Sequence, residues 1–255
     1  MTAFKIVIPA RHASSRLPGK PLLELAGKPM IVHVCEQALK AGADEVVLAT
    51  DDPRIAEAAR VTGVKTLLTA AAHHSGTERI EEVARRLRWE EDDIVVNWQG
   101  DEPLLAPALV RHLARSLAEH PDAVVATLAA PATEAEVFNP HAVKVVLDQA
   151  GYALYFSRAP IPWHRDGFAD ADPKLVGVGE QYWRHIGVYA YRVGLLHRYV
   201  AWPPAPLERL ESLEQLRILW HGERIVVLTV PHAPEPGVDT AEDLDRVDRL
   251  LRARG

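Results

Sequence analysis

Cysteine is almost absent: one residue, Cys35, stands in a chain of 255. That excludes an intramolecular disulfide and a thiolate cage for a metal. Cys35 falls within "MIVHVCEQAL", an apolar helical pattern in which a free cysteine reads as a small core residue, not a nucleophile. An excess of positive charge is missing as well. Lys and Arg total 29 against 35 Asp and Glu, for a net charge of −6, so nothing global invites nucleic acid or an anionic membrane. No apolar stretch reaches the roughly 18 residues of a membrane helix, and "FKIVIP" is too short for the apolar core of a secretion signal. These absences point to a cytoplasmic location. Repeats, low-complexity tracts and linkers are also lacking. Neither standard phosphate loop is present. "SSRLPGKP" has Ser14 where a Walker loop needs its first glycine and Pro21 after the lysine, and "GVGEQY" puts Tyr182 where a dinucleotide fingerprint needs glycine.

What is present is an alternation of short β-branched runs with helical patterns. "KIVIP" is followed by a helix near 29–42, "EVVLAT" by one near 53–62, "VKTLLT" by one near 77–88, and "DIVVNW" by one near 106–119. The runs are apolar at nearly every position, as expected of parallel strands covered on both faces. The expected fold is therefore α/β, a doubly wound, mostly parallel sheet, with ligands outside the carboxyl ends of its strands. After residue 130 the rhythm changes. "AVKVVLDQAGYALYFSR" predicts two strands around the turn "DQAG". "APIPWHRDGFADADPKLVGVGE" predicts a long loop, "HIGVYAYR" a strand, "LERLESLEQLRILW" an acidic helix, "RIVVLTV" a strand, and 240–252 a closing helix. The organisation expected is one domain, 1–255, with an inserted β-rich lobe around 134–200.

Four segments carry chemistry. Arg11, Arg16 and Lys20 lie within ten residues directly after the first strand, with Gly19 among them. Arginine grips phosphate oxygens in bidentate fashion and lysine supplies a point charge; the plainer alternative is a solvated basic loop. In "NWQGDEPLL", Asp101 follows a buried strand through a glycine, where a carboxylate beside phosphates suits Mg²⁺. Asp101 or Glu102 could equally cap the next helix. In "PGVDTAEDL", Thr240 with Asp243 forms a capping box, which leaves Asp239 unexplained and free to share a metal with Asp101. In "HHSGTER", Ser75 and Thr77 flank Gly76 as helix-start residues, so a base or ribose can approach the backbone. His73 and His74 point apart, as neighbours do, and read as a surface loop.

Taken together these stretches resemble the bacterial 3-deoxy-manno-octulosonate (KDO) cytidylyltransferases. The likeness extends through "ATDD", "FNPHAVKVVLD", "GYALYFSRAPIPW", "HIGVYAYR", "LESLEQLRILWHGERI" and "GVDTAEDL", in the family's order over nearly the whole chain. Trp98, where a smaller aliphatic is expected, and "APEPGVD", less glycine-rich than expected, are small departures. The resemblance implies a nucleotidyltransferase-type fold and an enzyme that joins CTP and KDO into CMP-KDO and pyrophosphate, for lipopolysaccharide synthesis. It implies Arg11 and Lys20 around the triphosphate, with Ser75, Gly76, Arg79 and Gln99 around the nucleotide. Asp101 and Asp239 would hold Mg²⁺. Arg16, Arg158, His185, Tyr189, Glu211 and Gln215 would hold the sugar acid, though Tyr189 may also be read as simple sheet packing. A homodimer is implied too, with no nucleic-acid or membrane partner. A cytidylyltransferase for an 8-amino KDO or a sialic acid, and a non-catalytic nucleotide-sugar binder, are the alternatives.

Overall fold

Strands that are apolar at every position need cover on both faces, and the chain provides it by returning a helix after each one. The computed structural model describes residues 2–13, 17–168 and 182–254. In chain order, β1 (Lys5–Ala10) leads through a two-residue hairpin, β2 (Glu24–Leu25) and β3 (Lys28–Pro29), into α1 (Met30–Leu39). There follow β4 (Glu45–Thr50), α2 (Pro53–Ala59), β5 (Lys65–Leu68), α3 (Gly76–Leu87), β6 (Ile94–Asn97) and α4 (Pro107–Glu119). The chain continues through β7 (Val125–Pro131), α5 (Glu134–Phe138), β8 (Lys144–Leu147), β9 (Ala153–Ser157), β10 (Trp183–Arg192) and α6 (Val193–Ala201). It closes with α7 (Pro206–Glu211), α8 (Gln215–Trp220), β11 (Ile225–Thr229) and α9 (Ala241–Arg254). The elements fall into two compact units: 1–115 with 190–200 and 234–255, and 116–189 with 201–233.

In the first unit β6, β1, β4 and β5 lie side by side and parallel, with Val7 opposite both Val47 and Asn97. Ile6, Ile8, Val47 and Leu48 are fully buried. Parallel strands joined by helices place the turns after β1, β4 and β6 at one edge, and that edge carries the site. Helix starts carry chemical markers local to the chain. Asp52 caps α2 by accepting from the Arg54 N–H at 2.8 Å, and Pro53 occupies the first turn, where its missing N–H costs nothing. Cys35 is buried in α1, and burial pushes its thiol up to about 12, so it is an inert core residue.

The second unit pairs β7 with β11 in parallel and folds β8 and β9 into the expected antiparallel hairpin, with Lys144 opposite Ser157. Asp148 closes the connecting turn by accepting from the Ala150 and Tyr152 N–H groups, both at 2.8 Å. Gly151 takes the left-handed φ of 82° there. One expectation is corrected. "LERLESLEQLRILW" is not a single helix but two, α7 and α8, because Ser212 turns left-handed at φ 51°. Glu211 and Gln215, four positions apart, therefore do not share one helical face. Of the expected long loop, only 159–168 belongs to the described residues, and it holds neither helix nor strand.

Candidate active site

The loop after β1 bends back at Gly19, whose φ is 68° and whose N–H donates to the His12 carbonyl at 3.2 Å. A side chain at this position would press on the His12 ring at 3.3 Å. The fold-back starts a single 3₁₀ turn at Lys20 and sets the direction of its ammonium. Lys20 Nζ donates to Asp101 Oδ2 at 2.5 Å, to the Val238 carbonyl at 2.8 Å and to Asp239 Oδ1 at 3.2 Å. Its three protons thus go to residues 81, 218 and 219 positions away.

Two close backbone approaches make this convergence possible. The turn after β6 lies on the end of β1, where a Cβ on Gly100 would stand 3.0 Å from the Pro9 carbonyl. The segment before α9 lies on that same turn. The Val238 N–H donates to the Asp101 carbonyl at 2.9 Å, and a Cβ on Gly237 would come within 2.7 Å of that carbonyl oxygen. Asp243 meanwhile serves the capping box, accepting from the Asp239 and Thr240 N–H groups at 3.1 Å while its own N–H donates to Thr240 Oγ1 at 3.2 Å. Asp243 thus holds the start of α9, and the Asp239 carboxylate turns to Lys20.

Glu102 completes the acidic group. Burial, then the charges of Asp101 and Asp239, push its carboxyl up to about 8. Sequence reasoning offered Glu102 only as a possible helix cap. Its one local signal is its place beside Asp101, because the burial comes from elements remote in sequence. Trp98, the unexpected aromatic, is fully buried, and its indole N–H donates to the Glu102 carbonyl at 3.1 Å. It therefore buttresses the turn that carries Asp101.

The start of α3 forms a second part of the same unit. Ser75 is its N-cap and accepts from the Glu78 N–H at 3.2 Å. A Cβ on Gly76 would lie 3.7 Å from Gln99 Nε2 and 3.8 Å from Asn97 Nδ2, so Gly76 and Gln99 come together as the sequence suggests. Asn97, not singled out from sequence, is buried beside them, and its Oδ1 has no partner. Arg79 stands differently. It is buried, donating to the Thr69 hydroxyl and to Asp51 Oδ2 at 3.3 Å, while Asp51 Oδ1 accepts from the His12 N–H at 3.3 Å. Among the described residues it is linked to the opening loop through Asp51. Arg11 is exposed just past β1, and Arg16 lies outside the described residues. His73 is tied to Glu82 at 2.6 Å. Among the described residues no group of three or more His, Cys, Asp or Glu is arranged to hold a metal ion.

In the second unit, Arg158 and Glu211 meet, though not as an ion pair. Arg158 Nε donates to the Glu211 carbonyl at 2.6 Å and NH1 to the Pro140 carbonyl at 3.0 Å. The Glu211 carboxylate instead accepts from the Ser157 hydroxyl at 2.6 Å and from the Arg158 N–H at 3.0 Å. His185 stands against Phe156 and Tyr189, with ring centroids 4.9 and 5.5 Å away. Its Nε2 lies 3.0 Å from the Thr127 hydroxyl oxygen, while that hydroxyl donates to the Val188 carbonyl at 2.9 Å. Thr127 has one proton and it is committed, so the imidazole donates through Nε2–H and keeps a lone pair on Nδ1. Burial pushes the His185 pKa down to about 3, so the ring is neutral at physiological pH. Gln215 is buried, and its Nε2 has no partner.

The chain as a whole matches known proteins closely. The cytidylyltransferase family model matches residues 5–225. The 3-deoxy-manno-octulosonate cytidylyltransferase of Methylococcus capsulatus is 59% identical over 255 residues, covering 98% of each chain. That of Idiomarina loihiensis is 56% identical, covering 97% of this chain and 98% of its own. A solved structure of CMP:2-keto-3-deoxy-manno-octonic acid synthetase complexed with CTP superposes with a TM-score of 0.88 at 44% identity, covering 99% of this chain and 100% of that one. A cytidylyltransferase from Leptospira borgpetersenii, 17% identical, shares the fold with a TM-score of 0.61 and covers 99% and 87% of the two chains.

Proposed function

The chain belongs to the cytidylyltransferase family, and from that premise we propose that it transfers CMP from CTP to KDO, giving CMP-KDO and pyrophosphate. The observation that carries the reading is the meeting of Lys20, Asp101 and Asp239 at the carboxyl edge of the parallel sheet. The anomeric hydroxyl of the sugar acid attacks the α-phosphorus. A new O–P bond forms, the bond to the β-phosphate oxygen breaks, and the hydroxyl proton leaves to solvent. Such a reaction asks the protein for position and charge, not for covalent chemistry.

Arg11 and Lys20 receive the triphosphate, and Lys20 offsets the charge that grows on the departing pyrophosphate. Ser75, Gly76 and Gln99 border the nucleotide at the start of α3, and Arg79 acts there by fixing Asp51. The oxygens of Asp101 and Asp239 reach one cationic atom in common, and the Val238 carbonyl joins them. This all-oxygen set fits Mg²⁺, which favours carboxylates and completes its shell with water and phosphate oxygen. When bound, the ion supplies positive charge against the reacting phosphates. The sugar acid falls to the second unit. There Arg158 supplies charge, neutral His185 accepts a hydrogen bond from a sugar hydroxyl at Nδ1, Gln215 offers its unpartnered amide, and Tyr189 packs at a tilt beside His185. Arg16 belongs with them by resemblance. Glu211 orients Arg158 instead of reading the sugar directly, because Ser157 and a backbone N–H already engage its oxygens. The product serves lipopolysaccharide assembly, and the enzyme works as a cytoplasmic homodimer. Leu154 and Trp163, apolar yet 60% and 65% exposed, support association through the second unit.

The test is pyrophosphate release from CTP and Mg²⁺ with four acceptors: KDO, its 8-amino analogue, a sialic acid and a hexose 1-phosphate. KDO is expected to react fastest. Release with another acceptor and none with KDO would move the substrate assignment. No release with any, in a protein that binds CTP, would make it a binder only.

A further inference from the structure

Lys144 is the one lysine among the described residues that is buried, at 0% exposure. It opens the otherwise apolar strand β8, where a buried charge is costly on packing grounds. Its ammonium donates to three neutral oxygens, the carbonyls of Asn139 at 2.9 Å, Ala142 at 2.6 Å and Arg158 at 2.6 Å. Three donors meet three acceptors, and among the described residues no carboxylate neutralises the charge directly. Its neighbour Arg158 is in the same position. Among the described residues its guanidinium also donates to carbonyls alone, those of Glu211, Pro140 and Ser212. Among the described residues the single acid in contact with this cluster is Glu211, held by Ser157 and the Arg158 N–H. Two cations and one carboxylate leave the cluster one positive charge in excess.

We propose that Lys144 is a positioning residue for the acid group of the sugar. By holding the Arg158 carbonyl and the Asn139–Ala142 turn, it fixes the guanidinium for a carboxylate ligand. The excess charge is what that ligand completes. Both cations are anchored by backbone carbonyls. Pro140, which accepts from Arg158, belongs to the turn that Lys144 holds, so the two side chains share one frame. A buried ammonium without a carboxylate beside it is costly, and an anionic ligand at Arg158 would offset part of that cost. The inference rests on the assignment of Arg158 to the sugar acid.

The test measures KM separately for KDO and for CTP in Arg158→Gln, Lys144→Met, Lys144→Gln and the Lys144→Met/Arg158→Gln double variant. Losing one charge-assisted contact is expected to raise KM for KDO about tenfold or more in Lys144→Met, with KM for CTP unchanged within about twofold. The double variant should be no worse for KDO than Arg158→Gln, because Lys144 acts through Arg158. Lys144→Gln still donates to the carbonyls without the charge, and it stands in if the methionine variant does not fold. Folded Lys144 variants with wild-type KM for KDO would overturn the proposal, as would equal rises in both KM values or losses that multiply in the double variant. An unchanged KM for KDO in Arg158→Gln would instead overturn the assignment of Arg158 itself.

Discussion

Replacing Lys20 by methionine keeps the length of the side chain and removes the charge that stands between Asp101 and Asp239. The Lys20 side chain is 13% exposed, Asp101 32% and Asp239 53%. Water screens the longer contact with Asp239, which contributes about 0–1 kcal/mol. The shorter, better shielded contact with Asp101 contributes about 1.5–3 kcal/mol. Removing both leaves two carboxylates facing Glu102, so in chelator-treated buffer the variant should be about 1.5–4 kcal/mol less stable. For a chain of this size that lowers the melting temperature by roughly 3–16 °C. The same geometry gives a second, opposite effect. A divalent cation must take the oxygens that Lys20 holds, so Lys20→Met should bind Mn²⁺ more tightly without nucleotide, by about tenfold or more. Added Mn²⁺ should then restore much of the lost stability, while turnover stays low because no cation meets the leaving pyrophosphate. Calorimetry with and without chelator, and a Mn²⁺ titration followed by electron paramagnetic resonance, read both effects. If Lys20→Met melts at the wild-type temperature in chelator, or binds Mn²⁺ no more tightly than wild type, the shared-oxygen argument is wrong.

Two further outcomes follow from the geometry. Gly237→Ala puts a Cβ 2.7 Å from the Asp101 carbonyl oxygen, a backbone atom with little room to yield. It should cost about 1–3 kcal/mol in denaturant titration and lower turnover more than tenfold by parting Asp239 from Asp101; full activity would show that the two segments need not touch. His185 has its folded pKa pushed down to about 3, so as pH falls from about 6.5 the unfolded chain takes a proton that the folded chain refuses. Stability present above pH 6.5 should therefore be lost progressively towards pH 3, and His185→Asn should flatten that slope. Identical slopes in the two proteins would mean that His185 is protonated in the fold.

The sheet of the first unit was legible because its strands announce two-sided burial. "KIVIP", "EVVLAT" and "DIVVN" have no polar alternation to hide their role, and Ser75 and Thr240 mark their helices by chemistry local to the chain. The break at Ser212 was not legible, since a left-handed serine leaves no mark of the kind a glycine leaves. Lys20 was legible as a cation but not as a clamp, because its partners lie 81 and 219 positions away and no local pattern encodes such distances. Glu102 was legible only as a possible helix cap for the same reason, its altered acidity being a property of enclosure. Lys144 offered one hint, a charge inside an apolar run, and the three carbonyls that explain it appear only in the folded chain.

The chain leaves the first unit after residue 115, re-enters at 190–200, and returns again at 234. Lys20, Asp101 and Asp239 all lie in that unit, while Arg158, His185, Tyr189, Glu211 and Gln215 all lie in the other. On the proposed assignment of these residues, the two halves of the reaction are separately heritable: substitutions within 116–189 and 201–233 would let a lineage change the acid it accepts while residues 20, 101 and 239 stay under unchanged selection. For the engineer, the re-entry at 190–200 means that an acceptor-specificity transplant must carry two segments, not one, with the intervening eleven or so residues left to the host.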